Sequence, residues 1–219
     1  MNPGPKPTPI RGGPRPAEIL FGVIMASTSG AAIIAHTFLD ISMRFTAGAI
    51  VLPSAVILTG FLLLAQNREA RFHEFARLLW IGAAWGLAAT LAYDLIRPAL
   101  MALFGLDFDP YKAMGIFGQL ATGRPEGDPV GLVVGWIYHF WNGISFGMMY
   151  ALVLPRGGLT SGLIWALILQ GLMMAVYPSF LEARLADPGF LISGIVGHGI
   201  WGLILGGGVR RTYERSMRS

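Results

Sequence analysis

With 219 residues, 54% of them hydrophobic and 13% charged, the chain has about half the charge of an ordinary soluble domain and a mean hydropathy of +0.59. The absence of cysteine excludes a disulfide framework and a thiolate metal centre. A sequence pI near 9.8 would point a soluble protein toward nucleic acid, but here the basic residues gather at the ends of apolar segments and face anionic lipid instead.

Residues 1–16 (MNPGPKPTPIRGGPRP) are basic and too rich in Pro and Gly to form a helix. They lack the apolar run and small-residue cleavage site of a secretory signal. Six apolar spans follow, near 18–39, 46–66, 77–104, 130–154, 159–180 and 189–209, most of them approaching the length, about twenty residues, that crosses a bilayer. The expected fold class is all-α: a polytopic membrane protein with six transmembrane helices in one domain over 17–209, between basic tails at 1–16 and 210–219. Ala, Gly, Ser and Thr are frequent in every span, which lets helices pack closely where burial in lipid gives little driving force. Pro53 and Pro98 fall inside spans and predict kinks.

The loops carry an orientation signal. With the N-terminus inside, Lys6, Arg11, Arg15, Arg68, Arg71, Arg77, Arg156, Arg210, Arg211, Arg215 and Arg218 all fall on the cytoplasmic side. Only Arg44, Lys112, Arg124 and Arg184 fall outside, where the loops are acidic through Asp40, Asp107, Asp109, Glu126, Asp128, Glu182 and Asp187. Eleven against four places both termini in the cytoplasm. The long connection 105–129 then lies outside, and the spacing of Tyr111, Met114, Ile116, Phe117 and Leu120 predicts an interfacial helix on the outer leaflet. His73, in the basic stretch NREARFHEFAR, reads as part of a solvated or interfacial turn.

Glycines recur every four residues in two spans. Gly131, Gly135, His139, Gly143 and Gly147 share one helix face, and so do Gly194, His198, Gly202 and Gly206. Gly82 precedes Pro98 by sixteen residues, and Gly162 precedes Pro178 by the same sixteen. Spans 3–4 and 5–6 therefore read as two copies of one helical hairpin, the first with the outer segment inserted.

Ionisable side chains in hydrocarbon are costly and mark sites. His139 and His198 both lie about 14 Å below the outer ends of their spans at 1.5 Å per residue. His36 and Asp40 stand near the outer end of span 1, and Tyr93, Asp94 and Arg97 near that of span 3. His36, Asp94, His139 and His198 are thus expected together in the outer half, with Asp40, Tyr93, Arg97 and Asn142 as a surrounding polar cluster. Three uses fit these residue types. His139 and His198 could be axial ligands of a b-type haem, with glycines making room for the porphyrin. They could join His36 and Asp94 around a divalent metal, since imidazole and carboxylate suit zinc. The Asp94–Arg97 pair and the imidazoles could relay protons in a transporter, although the inner half offers only Gln170 as a long polar side chain. The plain alternative is that each histidine bonds a neighbouring helix and holds the bundle together.

Catalysis has less support. Gly143-Ile-Ser145-Phe-Gly147 matches G-x-S-x-G, but a nucleophile elbow needs a strand-to-helix turn. Against a rhomboid-type intramembrane protease, Ser145 lies about 22 Å deep, well below His198, and off the His139 face. The tryptophans divide between interface anchors and core, and Met148, Met149, Met173 and Met174 read as packing.

Gly82 to Thr90 (GAAWGLAAT), His139 to Ala151 (HFWNGISFGMMYA), the span with Trp165, Met173, Met174 and Pro178, and the final G-H-x3-G-x3-G run together resemble the YagU-like group of small bacterial inner-membrane proteins. The resemblance covers roughly residues 80–210 and implies a bacterial inner-membrane location and no reaction. The resulting expectation is a non-enzymatic accessory or scaffold component of a larger membrane complex, in contact with the lipid bilayer and other membrane subunits and with no nucleic acid. Its polar His/Asp site opens to the outer face.

Overall fold

A computed structural model describes residues 13–64, 72–181 and 187–218, the side chains of 64 and 177–181 excepted. Lys6, Arg11, Arg68, Arg71, Glu182, Arg184 and the Pro178 side chain, used in the topology and repeat readings, lie outside the described residues. Every regular element among the described residues is helical. α1 spans Pro16–Leu39. α2 begins at Met43–Thr46, passes through a π-helical stretch at Ala47–Val51 and continues over Leu52–Leu64. α3 spans His73–Phe104, α4 Lys112–Thr122, α5 Pro129–Val153, α6 Gly158–Leu181 and α7 Pro188–Ser216.

α1, α2, α3, α6 and α7 are long and apolar enough to cross a membrane, which marks a multi-pass membrane protein. Large apolar side chains such as Leu20, Val56, Leu95, Ile137 and Ile168 are exposed on these and neighbouring helices, as lipid contact requires. α5 has the length, at 25 residues, but His139, Asn142 and its glycines lower its hydropathy, so it is not among the five.

Local chemistry sets the helix ends. α5 and α7 begin alike: Asp128 and Asp187 cap them by accepting hydrogen bonds from the next two free backbone N–H groups, and a proline follows each. α1 ends at Asp40, a left-handed residue whose N–H returns to Ala35 O. The π-helical stretch of α2 falls directly before Pro53, where a kink was expected, since proline cannot continue the regular ladder.

Two helix boundaries and one placement differ from the sequence reading. His73 is the first residue of α3 rather than part of a turn. The basic segment after 209 is helical through Ser216, because it packs beside the equally extended start of α3. There Arg77 pairs with Glu74 and donates to Ser216 O, while Trp85 Nε1 donates to Thr212 Oγ1 at 2.9 Å. Lastly, α4 is a helix as expected but does not merely rest at an interface. Ala113, Met114, Ile116, Phe117 and Gly118 are buried against the rest of the fold, chiefly α5.

α1, α5, α3, α7 and α6 form a ring in that order, each packed on the next. The ring closes lightly, because α1 and α6 make few contacts. α2 lies outside it against α1 and α3, and α4 covers one end, reaching α6 as well as α5.

Glycine brings the backbones together at two equivalent places. A Cβ on Gly86 would sit 2.5 Å from Gly143 O, and one on Gly82 would sit 2.5 Å from Gly147 O. In the second pair of helices Gly162 lies against Gly202 and Gly206, and Gly206 against Gly158. The two hairpins therefore share a packing register in which Gly82 and Gly86 correspond to Gly158 and Gly162. This is one helical turn away from the Gly82–Gly162 match read from the prolines. The glycine faces of α5 and α7 do not pack on each other; each packs within its own hairpin, and the upper half of the α5 face, Gly131 and Gly135, receives α4 instead.

Candidate functional site

The shared register places His139 and His198 at matching positions, one turn before the glycines that meet the partner helix. On α3, one turn beyond Gly86, Thr90 donates to Gly86 O and accepts from Trp201 Nε1 at 3.1 Å, tying α7 to α3. A further turn brings Asp94. His139 Nε2 lies 2.9 Å from Asp94 Oδ2 and 3.1 Å from Oδ1. Arg97 Nη2 donates to Asp94 Oδ1 at 2.6 Å, and Nη1 donates to Pro110 O in the connection to α4.

Asp94 and Arg97 are 7% and 5% exposed, so an isolated charge there would be prohibitive and the pair enters the fold as a neutral unit. The carboxylate, already balanced by the guanidinium, needs no charge from His139. A neutral imidazole donating Nε2–H satisfies it and leaves Nδ1 as an acceptor. Aromatic rings complete the enclosure. The Arg97 guanidinium lies 4.2 Å from the Tyr93 ring centre and 5.3 Å from that of Tyr111. Tyr111 also donates to Asp94 O at 2.8 Å.

His198 is oriented differently. Its Nδ1 lies 2.9 Å from Gly194 O, one turn back on its own helix, so the proton resides there and Nε2 is the acceptor. Tyr93 lies against both imidazoles, with ring centres 4.8 Å from His198 and 6.2 Å from His139. An axial haem pair would need both rings to offer a nitrogen across one shared gap; here His139 directs Nε2 to Asp94, and Tyr93 touches both.

The structure thus brings together Tyr93, Asp94, Arg97, His139 and His198. It does not bring His36 and Asp40 to them. His36 sits at the exposed end of α1, where Nδ1 lies 3.2 Å from Ile41 O, and Asp40 is exposed as the α1 C-cap. Among the described residues no three His, Asp or Glu side chains stand close enough to hold a metal ion. Ser145 lies 3.1 Å from Ser29 Oγ and donates to Asn142 O, joining α5 to α1 away from either imidazole.

These groups line one wall of a chamber of about 340 Å³ inside the helix ring. His139, Asn142, His198, Thr90, Tyr93 and Arg97 supply its polar side. Ile33 and Ile34 from α1, Phe146 and Met149 from α5, and Leu169, Leu172, Met173 and Val176 from α6 supply the apolar remainder, while Ala113 and Met114 of α4 cover one end. Asn142 is 9% exposed and its Oδ1 has no hydrogen-bond partner; Trp165, also in the wall, has an unpartnered Nε1. Neither the chamber nor the Thr90–Trp201 bond was foreseen from the sequence. The i,i+3 and i,i+4 spacings of Asp94, Arg97 and Tyr93 carried a usable signal for that part of the cluster.

Fold and site together define a class: a multi-pass helical membrane protein with an internal, mostly apolar chamber bearing one polar wall. No family model matches the chain, and no match is found among curated proteins or among solved structures.

Proposed function

We propose that this is a six-span protein of a bacterial inner membrane, with both termini cytoplasmic, that acts without catalysis as an accessory component holding a small apolar ligand in its chamber. α5 counts as the sixth span because it lies between α1 and α3 in the ring and, at 25 residues, is as long as α1. The positive-inside balance puts the α4 end outside, and the likeness to the YagU-like group supports the bacterial location. The observation that carries the reading is the chamber itself. Its volume falls within the range of small-molecule pockets, its lining is mostly apolar with a few converging polar groups, and α1 and α6 leave a light seam toward the lipid.

Purification from native membranes, followed by extraction and mass analysis of bound molecules and copurifying chains, tests this reading. One small apolar molecule per protein is expected, depleted in Leu169→Trp, which fills the chamber. A folded protein with no retained molecule, unchanged by Leu169→Trp, would overturn it. A Soret band or a stoichiometric metal lost with His139→Ala and His198→Ala would move the site to the haem or metal class.

A further inference from the structure

Resting on the chamber's being a ligand site, we infer that its ligand is a neutral apolar molecule bearing a hydroxyl or comparable hydrogen-bond donor, bound head-first against His139, Asn142 and His198. The polar wall offers acceptors from both histidines and Asn142, beside donors from the Asn142 amide and Trp165 Nε1. His198 has its N–H committed to Gly194 O, and no described residue partners Nε2. His139 has Nε2 committed to Asp94, which leaves the Nδ1 lone pair. Asn142 Oδ1 is buried in the same wall without a partner. An unsatisfied acceptor in a dry site costs free energy that a ligand donor returns.

The same wall disfavours other head groups. Among the described residues Arg97 is the cation that lines the chamber, and its charge is already balanced by Asp94 while its guanidinium is engaged by Pro110 O and two tyrosine rings. An anionic head would meet the histidine lone pairs and a neutralised pair, whereas a hydroxyl can donate to those lone pairs and accept from Trp165 Nε1. A permanent cation would be drawn only to the distal side of a carboxylate that Arg97 and His139 already occupy. An uncharged donor satisfies the acceptors and brings no net charge into hydrocarbon. Its apolar body fits between Ile33, Ile34, Leu172 and Val176, with the α1–α6 seam as the way in from the bilayer.

The test compares n-decanol, its methyl ether and decanoate on full-length protein in nanodiscs, read by displacement of a photoreactive alkyl probe that labels the chamber. The alcohol is expected to bind about tenfold tighter than the ether, the equilibrium worth of one net hydrogen bond, and decanoate weaker than both. Asn142→Leu combined with His198→Leu should erase the preference while retaining ether binding. The milder His198→Gln, which restores an acceptor, should keep part of the preference and guards against a folding defect. Equal binding of alcohol and ether, or stronger binding of decanoate, would overturn the donor assignment and leave the chamber reading standing. Failure of every probe to bind folded protein would sink both.

Discussion

The two hairpins, α3 with α5 and α6 with α7, share a backbone arrangement and differ in what they carry on it. In each, a Gly-x3-Gly pair on the first helix meets a Gly-x3-Gly pair on the second, and a histidine stands one turn before that contact. Each second helix opens with Asp-Pro, eleven residues before its histidine. The differences lie at matched positions beyond the contact. Thr90 answers to Ala166, and Asp94 to Gln170. One imidazole is therefore held by a carboxylate across the hairpin, whereas the other is held by its own backbone. Close helix packing is a property of the shared glycine frame, and the polar contacts added to that frame differ between the hairpins at two matched positions.

The largest effect should come from breaking the frame in either copy. Gly86→Leu places a Cβ 2.5 Å from Gly143 O, where backbone and not a flexible side chain is in the way. Gly162→Leu does the same against Gly202. Each is expected to cost more than about 3 kcal/mol, at the upper end for overpacking, and to abolish a monodisperse folded species in size exclusion. Tolerance of one and loss with the other would show that the two contacts are not equivalent.

The next effect separates the copies. Asp94→Leu strands Arg97 in the bundle and is expected to cost about 3–5 kcal/mol, because a buried charge loses its partner. Gln170→Leu removes a neutral side chain of similar size that is 4% exposed and should cost less than about 1.5 kcal/mol. Thermal unfolding in detergent, followed by circular dichroism, reads both. Adding Arg97→Leu to Asp94→Leu should recover much of the loss, since the desolvated charge is then gone. Equal destabilisation by Asp94→Leu and Gln170→Leu would mean the ion pair has no special place in the first hairpin.

How far this was visible in the sequence depends on the kind of interaction. The helices and the glycine faces were legible because both are periodic along one segment. The register between them was not. Sliding one helix by a turn puts glycine opposite glycine again, so the four-residue pattern fits more than one register. Depth along each span brought Asp94, His139 and His198 near one another. Depth alone could not reject His36, whose ring turns to the carbonyl of Ile41 where its own helix ends. The chamber is a property of five helices closing a ring with one light seam, and no single segment encodes it. The Asp-Pro opening of α5 and α7 was a readable repeat signal, stronger than the proline spacing that suggested the wrong turn.

That opening supplies the smallest and most local test of the repeat. Asp128 accepts from Val130 N at 3.0 Å and Gly131 N at 2.9 Å, and the Gly131 N–H above all, aided by Arg124, holds its carboxyl below the usual carboxylate range. A carboxyl depressed in the folded protein stabilises it fully above the unfolded value, near 3.9, and that stabilisation is lost as pH falls through the folded value. Protection of the Val130 and Gly131 amides, taken relative to their intrinsic exchange at each pH, should therefore be steady above about pH 5 and fall as the carboxylate is protonated on further acidification. In Asp128→Asn the carboxamide oxygen can still cap the helix, so protection there should lose its acid dependence while α5 persists. Asp128→Ala should accelerate exchange over the first turn at every pH, and Asp187→Ala should do the same at Gly189 and Phe190 of α7, because the two caps use the same pair of bonds. If only one of the two alanine variants frays its helix, the hairpins share their glycine contact but not the way their second helices begin.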